Sequence, residues 1–122
     1  AQPEANRFFG NVIILTGPMT MGVAEGFARI LQMEDNIRLL GSWDTAGSFS
    51  LPGGRIKLNN GISLIYPIGG SLDENNEILI ESGEYQKGIH PDIYIPPTND
   101  VIMLLANGWD VLLEEAKAHI GY

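Results

Sequence analysis

Cysteine is absent from the 122 residues. No disulfide and no thiolate metal site can therefore be built from this chain, and its redox compartment is left open. Basic residues are scarce. Seven Lys and Arg stand against fifteen Asp and Glu, a net charge of −8, which disfavours a nucleic-acid partner or an anionic membrane surface. No apolar run approaches the roughly 18 residues of a membrane span. The opening AQPEANRFFG lacks the basic and apolar regions of a signal peptide and reads as the start of a piece of something longer. Lysine does not occur before Lys57, and the two histidines, His90 and His119, have no paired spacing. A zinc site is not expected from them. With no P-loop and no dinucleotide fingerprint, no cofactor is implied. Internal repeats and low-complexity segments are also missing, so residues 1–122 read as one domain.

What is present centres on residues 11–33, NVIILTGPMTMGVAEGFARILQM. Val12–Leu15 is a continuous apolar run, expected to be a strand covered on both faces. Gly17, Pro18 and Gly22 allow a tight bend. Val23, Phe27, Ile30 and Leu31 then recur at helical spacing, with Glu25 and Arg29 four apart on the polar side. The unpaired N–H groups of that helix start point into the bend, where an oxyanion or a nucleophile would sit in an α/β protein. Ile37–Leu40 reads as a second strand, which makes a parallel βαβ unit. The Gly/Ser-rich stretch 41–54, GSWDTAGSFSLPGG, follows that strand. Two loops converging at the carboxyl edge of parallel strands define a candidate site.

Further on, residues 55–67 alternate around Asn60-Gly61 and predict an antiparallel hairpin, with Pro67 at a strand end or edge. Ile78–Ile80 is a possible short strand, residues 84–91 a loop, and Asp92–Ile95 a last strand stopped by Pro96-Pro97. Thr98, Asn99 and Asp100 supply capping chemistry for a helix over Val101–Ala106. Asn107-Gly108 interrupts it, and Asp110 caps a final helix bearing Leu112, Leu113, Ala116 and Ile120.

The order of these motifs resembles the C-terminal-processing, or tail-specific, serine peptidase family, from about Phe9 to about Ala118. Thr20-Met21-Gly22-Val23-Ala24-Glu25 is similar to its Thr-Ala-Ser-Ala-x-Glu signature. Leu40-Gly41-Ser42 leading to Thr45-Ala46-Gly47 is similar to its Val-Gly-Glu-x-Thr-x-Gly loop. Gly88-Ile89-His90-Pro91-Asp92-Ile93 is similar to its Gly-Ile/Val-x-Pro-Asp segment, and Asp110 to Ala116 to its closing Asp-x-x-Leu-x-x-Ala helix. The resemblance implies an α/β, crotonase-like spiral fold with a peptide bound as an added strand. It also implies a C-terminal portion of a larger catalytic domain and an extracytoplasmic, periplasmic or secreted location. In active members the signature serine is the nucleophile, and a lysine just after the Thr-x-Gly turn is its general base. Here Gly22 stands at the serine position and Ser48 at the lysine position. A Ser–Lys dyad needs a hydroxyl and a neutral amine within hydrogen-bond reach, and both are missing.

The remaining candidates carry two readings each. Thr20 is a helix N-cap or a displaced nucleophile. Gly22 is an oxyanion donor or a packing glycine. Glu25 is most simply a surface ion pair with Arg29. Ser48 and Ser50 are solvated loop serines or catalytic ones, and Asp44 is exposed or orients a base. His90 is polar surface or a base, and His119 is solvated. Arg55 and Lys57 share one strand face, opposite Ile56 and Leu58, and that face is expected in solvent. Met19, Met21, Trp43 and Phe49 line a groove or plug the core, with Thr45 and Gly47 in the same loop. The expectation is a serine-peptidase-type domain without its dyad, binding a peptide, a protein C-terminus or an apolar small ligand. The alternatives are an assembly domain acting through an exposed sheet edge, as a homo-oligomer, or a peptidase with a relocated nucleophile.

Overall fold

The computed structural model describes residues 8–80 and 88–121, residues 51 and 52 by their backbone alone. β1 (Val12–Leu15), α1 (Val23–Gln32) and β2 (Ile37–Gly41) form the expected parallel unit, with Val12 opposite Ile37 and Leu15 opposite Leu40. β3 (Ser50–Lys57) and β4 (Ser63–Gly70) make a separate antiparallel pair. β5 (Ile93–Tyr94) joins the other side of β2 in parallel, giving the order β1-β2-β5. α2 (Asn99–Ala106) and α3 (Val111–Ile120) close the chain. The protein is thus a mixed α/β structure with a three-stranded parallel sheet and an antiparallel ribbon.

β2 is the central strand and holds the core. Leu39 and Leu40 are fully buried, and Leu39 clusters with Ala28, Ile80 and Ile89. Each such leucine contributes about 1.5–3 kcal/mol through its removal from water. The strand covered on both faces is therefore β2. β1 lies at the sheet edge, half-buried at Val12–Ile14 and exposed at Leu15.

α1 is turned over relative to its apolar pattern. Glu25, Gly26 and Ala28 face inward, while Val23, Phe27 and Ile30 are exposed, Val23 at 84%. The reason is local. A Cβ on Gly26 would stand 2.5 Å from the Phe49 ring, so only the small-residue side of the helix can approach the segment before β3. Glu25 is drawn in by the loop that follows β2. The inner face of α1 is set by these two fits rather than by hydrophobic periodicity.

The helix signals at the C-terminal end read correctly. Thr98 caps α2 by accepting from the Val101 N–H, and Asp110 caps α3 by accepting from the Leu113 N–H at 3.0 Å. The hairpin is longer than expected. It takes in Ser50–Gly54, which composition alone had put in the loop, and turns through Asn59–Gly61 with Asn60 and Gly61 at positive φ. Pro52 pairs with Pro67 beside a register shift, a place where missing N–H groups break no ladder. Residues 78–80 form no strand; Leu72 and Ile78 make one isolated bridge. Asp73 closes that turn by accepting from the Asn75 and Glu77 N–H groups. Of the expected 84–91 loop, residues 84–87 lie outside the described residues.

Candidate functional site

The corner between β1 and α1 is built on Gly22. Its backbone sits at φ 58°, ψ −126°, a region closed to most side chains. This lets the chain turn from the bend into the helix within one residue, the geometry that exposes a nucleophile in strand–turn–helix sites. Nothing lies within 4 Å of a Cβ placed there, so the position opens outward. Gly22, and not Thr20, is the N-cap of α1. The Thr20 hydroxyl turns back to accept from the Gly17 N–H at 3.1 Å, and its carbonyl accepts from the Ala46 N–H. Thr20 thus pins the first bend to the second loop.

Glu25 fastens the two loops together. Its carboxylate is fully buried and accepts five hydrogen bonds: from the Thr45 hydroxyl and Gly47 N–H at 2.6 Å, the Ser48 N–H at 2.8 Å, the Ser48 hydroxyl at 3.0 Å and the Gly22 N–H at 3.1 Å. The expected surface pair with Arg29 is not what Glu25 makes; the Arg29 guanidinium donates to Gln32 instead. Burial pushes the Glu25 carboxyl up. The bonds from Thr45, Ser48 and Gly47 outweigh that and hold it below the ordinary glutamate range. A carboxylate so saturated is a poor proton acceptor.

Ser48 is exposed and meets the corner directly. Its Oγ donates to Glu25 and accepts from the Gly22 N–H at 3.1 Å. The third segment locks on from behind. The Thr45 N–H donates to the Ile89 carbonyl, and the Ile89 N–H donates to Thr45 Oγ1 at 2.8 Å. Asp92 ties the same segment to the sheet, accepting from the Leu39 N–H at 2.8 Å and from the Gln32 amide at 2.9 Å. Thr45 and Gly47 are therefore buried behind the corner, in contact with Glu25. Met19, Met21 and Trp43 are exposed. Phe49 is half-buried against the core cluster, and with Ser50 it also borders a cleft of about 540 Å³ beside Ile68 and Ile78.

His90 and Asp44 come together as a pair. His90 Nδ1 lies 2.7 Å from Asp44 Oδ1, and its ring stacks on Tyr94 at 5.7 Å. His90 and Tyr94 line a cleft of about 650 Å³ together with Arg29, Gln32 and Leu79, which includes none of Met19–Gly22. His119 is exposed, with Nδ1 2.9 Å from the Glu115 carbonyl. Lys57 is exposed on the ribbon. Among the described residues no group of three His, Asp or Glu could hold a metal ion, and no helix is long and apolar enough to cross a membrane.

Sequence reasoning missed Glu25 and Asp92 as structural ties. The signal was available in part, since both stand inside the matched motifs. Their burial and their partners came only with the fold.

No protein-family model and no curated protein matches the chain. Among solved structures, it is similar to a protein from Parabacteroides merdae described as a candidate peptidase, at 25% identity and a TM-score of 0.70. The match covers 95% of this chain and 33% of that one, so the chain spans about a third of the length of the protein it resembles. The likeness supports a peptidase-like fold.

Proposed function

We propose that the chain is a peptidase-like domain of the tail-specific serine type, on a crotonase-like spiral scaffold. In this reading the hydrolytic dyad is lost and a groove for a peptide C-terminus or an apolar small ligand is kept. The observation that carries it is the 3.1 Å hydrogen bond between the Gly22 N–H and the Ser48 hydroxyl. The two positions that match the family's serine and lysine are immediate neighbours, as a dyad requires. They offer a backbone amide and an alcohol where attack needs an activated hydroxyl and an amine. Relocating the nucleophile to Ser48 is disfavoured, because its bonded carboxylate, Glu25, is held in its ionised form. The outward opening over Gly22 and the exposed Met19 and Met21 next to it in the chain suit apolar contact. An extracytoplasmic location goes with the same reading.

The test is incubation of the chain with a peptide library, with and without a serine-directed phosphonate. No protein-dependent cleavage is expected. Cleavage blocked by the phosphonate overturns the loss of the dyad. Thermal-shift screening with peptides bearing free C-termini then reads binding, and Met21→Asp is expected to remove any ligand-induced stabilisation. Unchanged affinity in that variant places the ligand elsewhere.

A further inference from the structure

The cleft that His90 and Tyr94 line carries two opposite charges that do not touch each other, Arg29 and Asp92. Among the described residues the half-buried Arg29 guanidinium makes one hydrogen bond, to Gln32 Oε1 at 2.9 Å, and no ion pair. Asp73, held low chiefly by the Glu77 N–H, also senses the Arg29 charge but does not pair with it. The other N–H groups of the guanidinium are left to accept a partner. The Asp92 carboxylate takes the Leu39 N–H and the Gln32 amide, two of the roughly four bonds it can accept. Gln32 stands between the charges. Its amide oxygen accepts from Arg29 and its amide nitrogen donates to Asp92, each at 2.9 Å, so a single amide group sets their separation.

The rest of the lining is largely apolar. Ile80 is buried, Leu79 is half-buried, and the Tyr94 ring stacks on His90. A volume of about 650 Å³ suits a small organic molecule rather than an inorganic ion. The charge pattern narrows the class. A simple anion meets Arg29 but faces Asp92, and a simple cation meets Asp92 but faces Arg29. An internal peptide segment brings neither charge, and one end of a long peptide brings only one. We infer that this cleft binds a short zwitterion with an apolar side chain, a free amino acid or a dipeptide. Its carboxylate sits on Arg29, its ammonium on Asp92, and its side chain against Leu79, Ile80 and Tyr94. The cleft includes none of Met19–Gly22, so this site is independent of what the Gly22 corner binds.

The test is calorimetric titration of the chain with L-leucine and, separately, with L-leucyl-L-leucine, alongside chemical shifts of the Gly88, His90 and Tyr94 amides. Saturable binding of at least one of the two is expected, with shifts at those amides. Which one binds tells the free amino acid from the dipeptide. The N-acetylated form of the bound probe lacks the ammonium, and its C-terminal amide lacks the carboxylate. Each should bind at least about tenfold more weakly, a factor that corresponds to ~1.4 kcal/mol. Arg29→Gln should weaken binding by a similar factor with the circular dichroism unchanged, since Arg29 bonds only to Gln32 among the described residues. Met21→Asp should leave this binding as it is. Failure of both zwitterions to bind saturably overturns the inference. So does equal affinity for either blocked form, or for Arg29→Gln. Binding lost with Met21→Asp and kept with Arg29→Gln would move the ligand to the Gly22 corner and overturn it as well.

Discussion

Glu25 occupies the third position of a helix whose N-cap has no side chain, and its carboxylate takes over the capping work by accepting from the Gly22 N–H. Its other bonds reach across to Thr45, Gly47 and Ser48. Glu25→Ala is expected to lower unfolding free energy by about 1–3 kcal/mol, because it leaves buried donors unpaired; urea denaturation at neutral pH reads this. The pH dependence has a definite sign. The folded carboxyl titrates below its unfolded value, so the stability it contributes is present above the ordinary glutamate range, about pH 4.3. It is lost as pH falls through the lower folded value. The wild-type protein should therefore lose stability more steeply than Glu25→Gln as pH drops below about 4.3. Parallel acid limbs in the two proteins would show that Glu25 is not the group responsible. Gly22→Ser meets no neighbour but forces a side chain into the left-handed region. A loss of about 1–2 kcal/mol is expected from backbone strain, with no gain of peptide cleavage. The family-like motif made Gly22, Ser48 and Glu25 visible in the sequence. The direction in which Glu25 points was not visible, because an (i, i+4) Glu–Arg spacing on a helix reads the same whether that face meets water or a loop.

Elements were the most legible level. Parallel β1 and β2, the hairpin around Asn60-Gly61, and the caps at Thr98 and Asp110 follow from local chemistry that few residues can imitate. The orientation of α1 did not follow, since a helix with one apolar stripe and one small-residue stripe can bury either. Its inner fit depends on Phe49, which is far along the chain from Gly26. Phe49→Ala should cost roughly 2 kcal/mol, toward the low side of aromatic truncations because the ring is only half-buried. Gly26→Ala should cost about 1–3 kcal/mol through overpacking against the same ring. If Phe49→Ala relieves most of the cost of Gly26→Ala in a double-mutant cycle, the contact is direct. Additive losses would deny it. Residues 78–80 read as a possible strand because three apolar residues in a row resemble one. Their backbone makes instead one bridge, Leu72 with Ile78, and a Leu79 N–H bond to the Ser71 carbonyl, beside a turn closed by the Asp73 carboxylate.

For the whole molecule, burial concentrates on β2 and the segments tied to it, while the ribbon and the α1 stripe remain exposed. Hydrogen exchange should follow that division. The Leu39 and Leu40 amides are expected to be the slowest, and the ribbon amides faster by orders of magnitude. The amino-acid sequence by itself determined the α/β class, the element order and the acidic charge, and it put glycine and serine where a dyad would stand. These follow from residue types and near-neighbour spacing. Only the tertiary structure decided which side of α1 turns inward, that Glu25 is a buried tie, that His90 meets Asp44 rather than a serine, and that the ribbon's apolar side chains stay exposed among the described residues. Each of these depends on contacts between residues distant along the chain, and local pattern carries no information about them.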